Sequence, residues 1–222
     1  MSASPSHDGI RVIGFDLDQT LYAKSPEIDT AIQKYLYEQI ALHKKCSVED
    51  AQKLFTTHYP QLSGSKTLAL LGIPNASELV QEALEKADLT PFLNPNPPLN
   101  DLLRELKQKY GSLSLLTGSN TINLTQKLQK LQIPLEWFDL VVDGTTPKRD
   151  GTAYKDWLYA FQSKDPSLKP ENFLYIGDRY VSDVEPVLKL GMHAWLVNVS
   201  KVDAAISVPQ FAKTIDIREK LL

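Results

Sequence analysis

The sequence predicts an α/β protein: a doubly wound parallel sheet with a small all-helical domain inserted after the first strand. Three features predict it. From about residue 95 onward, short apolar runs alternate with stretches of helical spacing, the pattern of a parallel sheet covered on both faces. One further β-branched run, IRVIGF at 10–15, stands alone near the start of the chain. Between them, residues 25–94 carry helical patterning only and close on TPFLNPNPP, whose four prolines in nine residues cannot be helix interior and mark a boundary.

The elements follow in order. Residues 1–9 read as a flexible polar tail, and Ile10–Phe15 as a buried strand that stops abruptly at DLDQTLY. Ile28, Ile32, Tyr35, Leu36 and Ile40 fall at helical spacing. Ser47 followed by Asp50 resembles a capping box and opens a second helix to about Thr57. Shorter helices are expected at 66–71 and 76–86. After the proline-rich boundary, a helix at 99–110 precedes the strand SLSLLT at 112–117, and a helix at 121–131 precedes DLVVD at 139–143. A helix at 154–162 precedes NFLYIGD at 172–178, and a helix at 181–190 precedes HAWLVN at 193–198. The last twenty residues hold a short strand or turn and a helix at 217–222. The division is thus a core of residues 1–24 and 95–222 and a helical insert of 25–94.

Composition narrows the function classes. The 222 residues carry 24 Lys and Arg against 27 Asp and Glu, a formal charge of −3. That mild acidity argues against nucleic-acid or anionic-membrane partners, which usually meet a basic face. The insert alone holds six Lys, no Arg and nine acids, so the whole net charge lies there and the core is neutral. The single cysteine, Cys46, excludes an intramolecular disulfide and has no electropositive setting beyond Lys44 and Lys45. No apolar run reaches the roughly 18 residues of a membrane span, and MSASPSHDG has no signal-peptide pattern. A cytoplasmic location is expected, which makes the Asn-x-Ser/Thr triplets at Asn75, Asn123 and Asn198 chance matches.

Ligands of open parallel sheets bind at the carboxyl ends of the strands. The first strand ends in Asp16-Leu17-Asp18-Gln19-Thr20, the second in Thr117-Gly118-Ser119-Asn120, and the strand at 172–178 in Gly177-Asp178-Arg179, with Asp183 five residues on. Acids and a hydroxyl from distant segments thus converge on one edge. With 16 Asp and 13 Thr in the chain, a D-x-D-x-T pattern arises by chance only about 0.07 times.

These motifs resemble those of the haloacid dehalogenase-like (HAD) hydrolase superfamily: DLDQT at 16–20, LLTGS at 115–119, a lysine between 148 and 155, and GDRYVSD at 177–183. The resemblance implies a Rossmann-like core and makes the insert a type-one helical cap. LTPFLNPNPPLNDLLREL and YKDWLYAF look most like the pyrimidine 5′-nucleotidase-like subgroup. What it implies is an Mg²⁺-dependent phosphatase for a small phosphomonoester, such as a nucleoside monophosphate. Asp16 would be the nucleophile, forming an aspartyl-phosphate that water hydrolyses. Asp18 would protonate the leaving alkoxide and later deprotonate the water. The metal ligands would be the Asp16 side chain, the Asp18 backbone carbonyl and Asp178, with Asp183 as an outer or water-bridged partner. Thr117 and the backbone N–H groups of Gly118 and Ser119 would hold phosphoryl oxygens, although Thr117 also fits an ordinary helix N-cap. A lysine must offset the carboxylates. Lys155, at the start of a helix 23 residues before Asp178, is the first choice and Lys148 the rival.

The departures carry information. The superfamily's first motif commonly has Gly where this chain has Gln19. The retained Asp18 favours phosphoryl transfer, because the superfamily's 2-haloacid dehalogenases lack an acid there. A non-catalytic phosphate-binding or regulatory module on the same fold is the other alternative. Thr20 is expected to fix the loop, and Arg179 to touch substrate or lie on the surface. His7, His43, His58 and His193 carry no assigned role. Tyr22, Trp137, Trp157 and Trp195 are expected to pack rather than to form a stacking platform.

Overall fold

A computed structural model of the chain describes residues 9–59, 62 and 64–222, with the side chains of residues 81, 84 and 85 left aside. The polar tail expected at 1–9, with His7, lies outside the described residues apart from Gly9. The chain divides into two compact units: one formed by the residues up to Ala23 together with Asn94–Leu222, the other by Lys24–Leu93. No helix among the described residues is long and apolar enough to cross a membrane.

Among the described residues the larger unit is built on five strands, β1 (Val12–Phe15), β2 (Leu113–Leu116), β3 (Leu140–Val142), β4 (Phe173–Gly177) and β5 (His193–Leu196). They form one all-parallel sheet in the order β3-β2-β1-β4-β5. Residue Phe15 pairs with Leu115 on one side and Ile176 on the other. The chain steps outward from β1 to β2 and β3, then returns to add β4 and β5 on the other side. The strand order therefore reverses at β1 and β4, and that reversal opens the crevice where such sheets bind ligands.

Alternation along the strands makes two buried faces. Val12, Leu116, Phe173, Tyr175, Ala194 and Leu196 share one cluster with Tyr154 and Trp157 of a crossing helix. Trp157 is fully buried, donates its ring N–H to Ser114 Oγ at 2.9 Å, and meets the edges of Phe173 and Tyr175. Its indole occupies the space that a side chain on Gly14 would need: a Cβ there would stand 2.8 Å from the ring. Hence the central strand carries glycine in an otherwise β-branched and aromatic run. Ile13, Phe15, Leu113, Leu115, Leu174, Ile176 and Trp195 are buried on the opposite face.

Among the described residues the smaller unit holds four α-helices, α1 (Pro26–Lys44), α2 (Val48–His58), α3 (Gly64–Leu70) and α4 (Ala76–Lys86). Helix α1 starts two residues before its first apolar position: Ser25 Oγ accepts from the Ile28 N–H, Pro26 takes the first turn, and Glu27 and Asp29 face the positive end of the dipole. The chain leaves α1 through Lys45 in the left-handed conformation. Ser47 Oγ caps α2 by accepting from the Asp50 N–H at 3.1 Å. Phe55 sits between Tyr37 and Tyr59, at 5.5 and 4.9 Å between ring centroids.

In the larger unit the helices are α5 (Pro97–Tyr110), α6 (Thr121–Leu131), α7 (Thr152–Gln162), α8 (Glu185–Lys189) and α9 (Arg218–Leu221). Helix α5 begins inside the proline run, because Asn96 caps it and Pro97 supplies a first position that needs no N–H. The single helix expected at 181–190 is a wide turn, Tyr180–Val184, followed by the short α8. The cause is Pro186, which has no N–H to give the Ser182 carbonyl. That carbonyl instead accepts from the Tyr154 hydroxyl at 2.7 Å. Between β5 and residue 214 the chain is irregular, with one bridge from Leu196 to Gln210 and Phe211 packed on Trp195.

Candidate active site

The parallel ladder runs one residue past β1, since the Asp16 N–H donates to the Ile176 carbonyl at 2.9 Å. This fixes Asp16 at the mouth of the reversal between β1 and β4. The chain then turns: Thr20 and Leu21 both donate to the Leu17 carbonyl. The turn requires a left-handed residue at position 19, and Gln19 takes it with φ +60°. A side chain there costs roughly 1–2 kcal/mol relative to glycine. Asn198 holds the strained peptide by donating to the Gln19 carbonyl at 2.7 Å, and Thr214 donates to the Thr20 carbonyl at 2.6 Å. A loop after β5 thus supports the departure from glycine.

Asp16 is buried. Its Oδ1 accepts from Lys148 Nζ at 2.6 Å, and Thr20 Oγ1 lies 3.4 Å from its Oδ2. Lys148 also donates to Asp183 Oδ1 at 2.8 Å and lies 3.2 Å from the Tyr175 hydroxyl. It reaches the site from the loop after β3, with its side chain only 9% exposed. Lys155, the first choice from sequence, is exposed on α7. The reason is helical phase: α7 turns Ala153, Tyr154 and Trp157 inward, which leaves position 155 on the outside. The lysine that this structure brings against Asp16 and Asp183 is Lys148.

Asp178 follows β4, and Asp183 is held by the turn behind it. Asp183 Oδ2 accepts from the Arg179 N–H at 2.9 Å, while Oδ1 faces Lys148. Carboxylate oxygens of Asp16, Asp178 and Asp183 lie within 4.8 Å of one another. Three hard oxygen donors this close suit a divalent cation of the Mg²⁺ type and fit the metal that the motifs imply. Burial, with Asp183, Asp178 and Asp18 nearby, pushes Asp16 up to about 7, against the downward pull of Lys148. A further cation beside these carboxylates would favour the ionised form of Asp16.

Gly177, the last residue of β4, is part of this construction. A Cβ there would stand 2.5 Å from Asp183 Cβ and 2.6 Å from its Cγ, closer than side-chain atoms pack. Gly177→Ala is expected to displace Asp183 from Lys148 and to lower kcat by about 10²-fold with the fold retained. An unchanged kcat with unchanged circular dichroism would show that the position of Asp183 is immaterial.

Asp18 faces a different set of groups. Its Oδ1 accepts from the Tyr22 hydroxyl at 2.6 Å and from Lys127 Nζ at 2.5 Å. Its Oδ2 accepts from Ser119 Oγ at 2.7 Å and lies 3.4 Å from Thr117 Oγ1. Burial alone would raise the Asp18 carboxyl, but Lys127, Tyr22 and Ser119 together hold it below the usual carboxylate range. The two acids of the first motif are thereby pushed in opposite directions.

Thr117 follows β2 and accepts from the Ser119 N–H through Oγ1 at 3.0 Å. It does not cap α6; Asn120 does, accepting from the Asn123 N–H at 3.0 Å. Of the residues proposed from sequence, Asp16, Asp18, Thr117, Gly118, Ser119, Asp178 and Asp183 come together at the strand ends. Arg179 is half-buried, with Nε 3.9 Å from Asp178 Oδ1. Tyr22, expected only to pack, puts its hydroxyl on Asp18. Lys127 was not anticipated at all. It occupies the buried stripe Leu124, Lys127, Leu128, Leu131 of α6, so a lysine at an apolar slot was the available signal.

This arrangement defines the class of the protein. The family model of haloacid dehalogenase-like hydrolases matches residues 10–191, and the chain belongs to that family of hydrolytic enzymes. A glyceraldehyde 3-phosphate phosphatase of Methanocaldococcus jannaschii is 27% identical over 192 residues, 82% of each chain. Among solved structures, a HAD phosphatase from Thermococcus onnurineus superposes with a TM-score of 0.62 at 16% identity, over 95% of this chain and 97% of that one. A 2-haloacid dehalogenase from Pseudomonas syringae pv. Tomato does so with a TM-score of 0.54 at 18% identity, over 96% and 98%. Phosphatase and dehalogenase alike share the fold, so the fold alone does not fix the reaction.

Proposed function

We propose that the chain is a phosphatase that hydrolyses a small phosphomonoester through an aspartyl-phosphate on Asp16, with Mg²⁺ held by Asp16, Asp178, Asp183 and the Asp18 carbonyl. The observation that carries this reading is the second carboxylate. Asp18 is set beside the nucleophile in its own pocket of donors, apart from the three-acid cluster, and a hydrolase that never moves a proton at a leaving oxygen has no use for it.

The residues divide the work. Lys148 steadies Asp16 against the other carboxylates and keeps an oxygen available for attack on phosphorus. As the new O–P bond forms, the ester P–O bond breaks and the leaving oxygen takes a proton from Asp18. Bound phosphoryl charge next to Asp18 favours its protonated form at that stage. In the second half, Asp18 accepts a proton from the water that attacks phosphorus, and Asp16 is released as carboxylate. Thr117 and the N–H groups of Gly118 and Ser119 hold the phosphoryl oxygens. Mg²⁺, when bound, supplies positive charge that offsets the carboxylates and the phosphoryl oxygens.

Two features direct the choice of ester. The Methanocaldococcus jannaschii relative, a glyceraldehyde 3-phosphate phosphatase, supports a phosphorylated small carbon compound, and the resemblance in YKDWLYAF supports a nucleoside monophosphate. The insert at 25–94, read as a cap, would carry the discrimination. The test is a panel of p-nitrophenyl phosphate, triose and sugar phosphates and nucleoside monophosphates, each with Mg²⁺ and with EDTA. Hydrolysis that EDTA abolishes and Mg²⁺ restores is the expected result. Halide release from a 2-haloacid, or hydrolysis indifferent to EDTA, would contradict the reading, and inactivity on every ester would point to the non-catalytic alternative.

A further inference from the structure

Lys127 is the most deeply buried lysine of the described site, with its residue 1% exposed, and it reaches the first motif from α6. Its Nζ meets Asp18 Oδ1 at 2.5 Å and Ser119 Oγ at 2.9 Å. Ser119 in turn donates to the other oxygen of the same carboxylate at 2.7 Å. The three groups close a triangle: one cation grips one oxygen of Asp18 directly and the other through a hydroxyl. We infer that Lys127 is a positioning residue for the reaction, because its ammonium and the Ser119 hydroxyl together fix the orientation of the Asp18 carboxylate. The inference rests on Asp18 being the proton carrier proposed above.

The alternative is that Lys127 only fills α6 and neutralises a buried charge. Economy argues against it. Leucine at that slot would continue the stripe of Leu124, Leu128 and Leu131 without burying an ammonium, whose removal from water costs several kcal/mol. The carboxylate of the first motif offsets that cost through a direct ion pair, and the Ser119 hydroxyl adds a second contact. The contacts also differ in kind from those of Lys148, which holds the nucleophile and Asp183 and does not appear among the donors to Asp18. Each acid of the first motif has its own lysine, one from the loop after β3 and one from the helix after β2. A group that carries a proton between a leaving oxygen and a water has to be aimed, since proton transfer requires heavy atoms within about 2.6–3.2 Å.

Leaving-group dependence separates aim from stability. p-Nitrophenolate leaves without help, whereas the more basic phenolate of phenyl phosphate, nearly the same shape, gains from a proton. The ratio of kcat/KM for p-nitrophenyl phosphate to that for phenyl phosphate reports the proton donor and cancels the fraction of folded enzyme. Lys127→Met, and the milder Lys127→Gln in case the former folds poorly, are expected to raise this ratio by about tenfold. Asp18→Asn should raise it at least as much, Lys127→Arg should return it toward wild type, and Lys127→Met added to Asp18→Asn should move it no further. If Asp18→Asn raises the ratio while the Lys127 variants slow both esters equally, Lys127 is structural and the inference is overturned. If Asp18→Asn itself leaves the ratio unchanged, the assignment of Asp18 fails and takes the inference with it.

Discussion

Asp16→Asn lowers turnover of p-nitrophenyl phosphate by at least about 10⁴-fold, on the scale seen when a nucleophile is removed from a group that acts as a unit. The substitution is nearly isosteric. The N–H of residue 16 still donates to the Ile176 carbonyl, and the oxygen left on the amide still faces Lys148. The fold therefore has every reason to survive, and the loss reports chemistry. An amide oxygen is too weak a nucleophile for phosphorus, and one negative charge is lost from the group of Asp16, Asp178 and Asp183. Circular dichroism should match wild type and Tm should not fall, because burial and the neighbouring acids already disfavour the charge on Asp16 and Lys148 keeps Asp183 as a partner. Turnover within tenfold of wild type would remove Asp16 from the mechanism.

Lys148→Met produces the second large effect, on stability as well as on rate. Lys148 bridges Asp16 and Asp183 at 2.6 and 2.8 Å, with all three side chains buried. Removing one partner of a buried ion pair leaves uncompensated charge and costs about 3–5 kcal/mol. For a chain of this size that lowers Tm by roughly 6–20 °C. The variant should also show a larger thermal shift on adding Mg²⁺ than wild type does, because the carboxylates it leaves behind have more to gain from a cation that binds only the folded state. Lys155→Ala is the matched control. It truncates an exposed side chain on the outer face of α7 and should change kcat by less than about twofold, and Tm little, as surface substitutions do. Equal losses in the two variants would contradict the placement of Lys148 as the site lysine.

The two lysines show what the sequence displays openly and what it holds only in helical phase. The strands were legible because a parallel sheet buried on both faces writes continuous apolar runs, and the motif acids because each follows such a run directly. The lysine was not, because residues 143–155 offer two candidates and only the phase of α7 decides between them. That phase was present in the sequence: Tyr154, Trp157 and Phe161 mark the inward stripe and put Lys155 outside it. Lys127 was legible in the same way, as the one charge in the stripe from Leu124 to Leu131, but a periodicity search reads past a single polar member. Tyr22 lay four residues after Asp18, a spacing that a turn with left-handed Gln19 brings into contact and an extended segment would not. The wide turn at Tyr180–Val184 was hidden because the tertiary acceptor relationship between Tyr154 and Ser182 replaces the bond that Pro186 removes.

The measurement that bears most directly on the whole account is trapping of the covalent intermediate. Asp18→Asn is mixed with p-nitrophenyl phosphate and Mg²⁺, quenched in acid, digested and analysed by mass spectrometry. p-Nitrophenolate needs no proton to leave, so Asp16 is phosphorylated, while the missing base at position 18 slows hydrolysis of the acyl phosphate. The account predicts a burst of one p-nitrophenolate per active site and one phosphoryl group on the peptide that carries Asp16. Release of p-nitrophenolate with no phosphorylated peptide, or with the phosphoryl group on a residue other than Asp16, would contradict it.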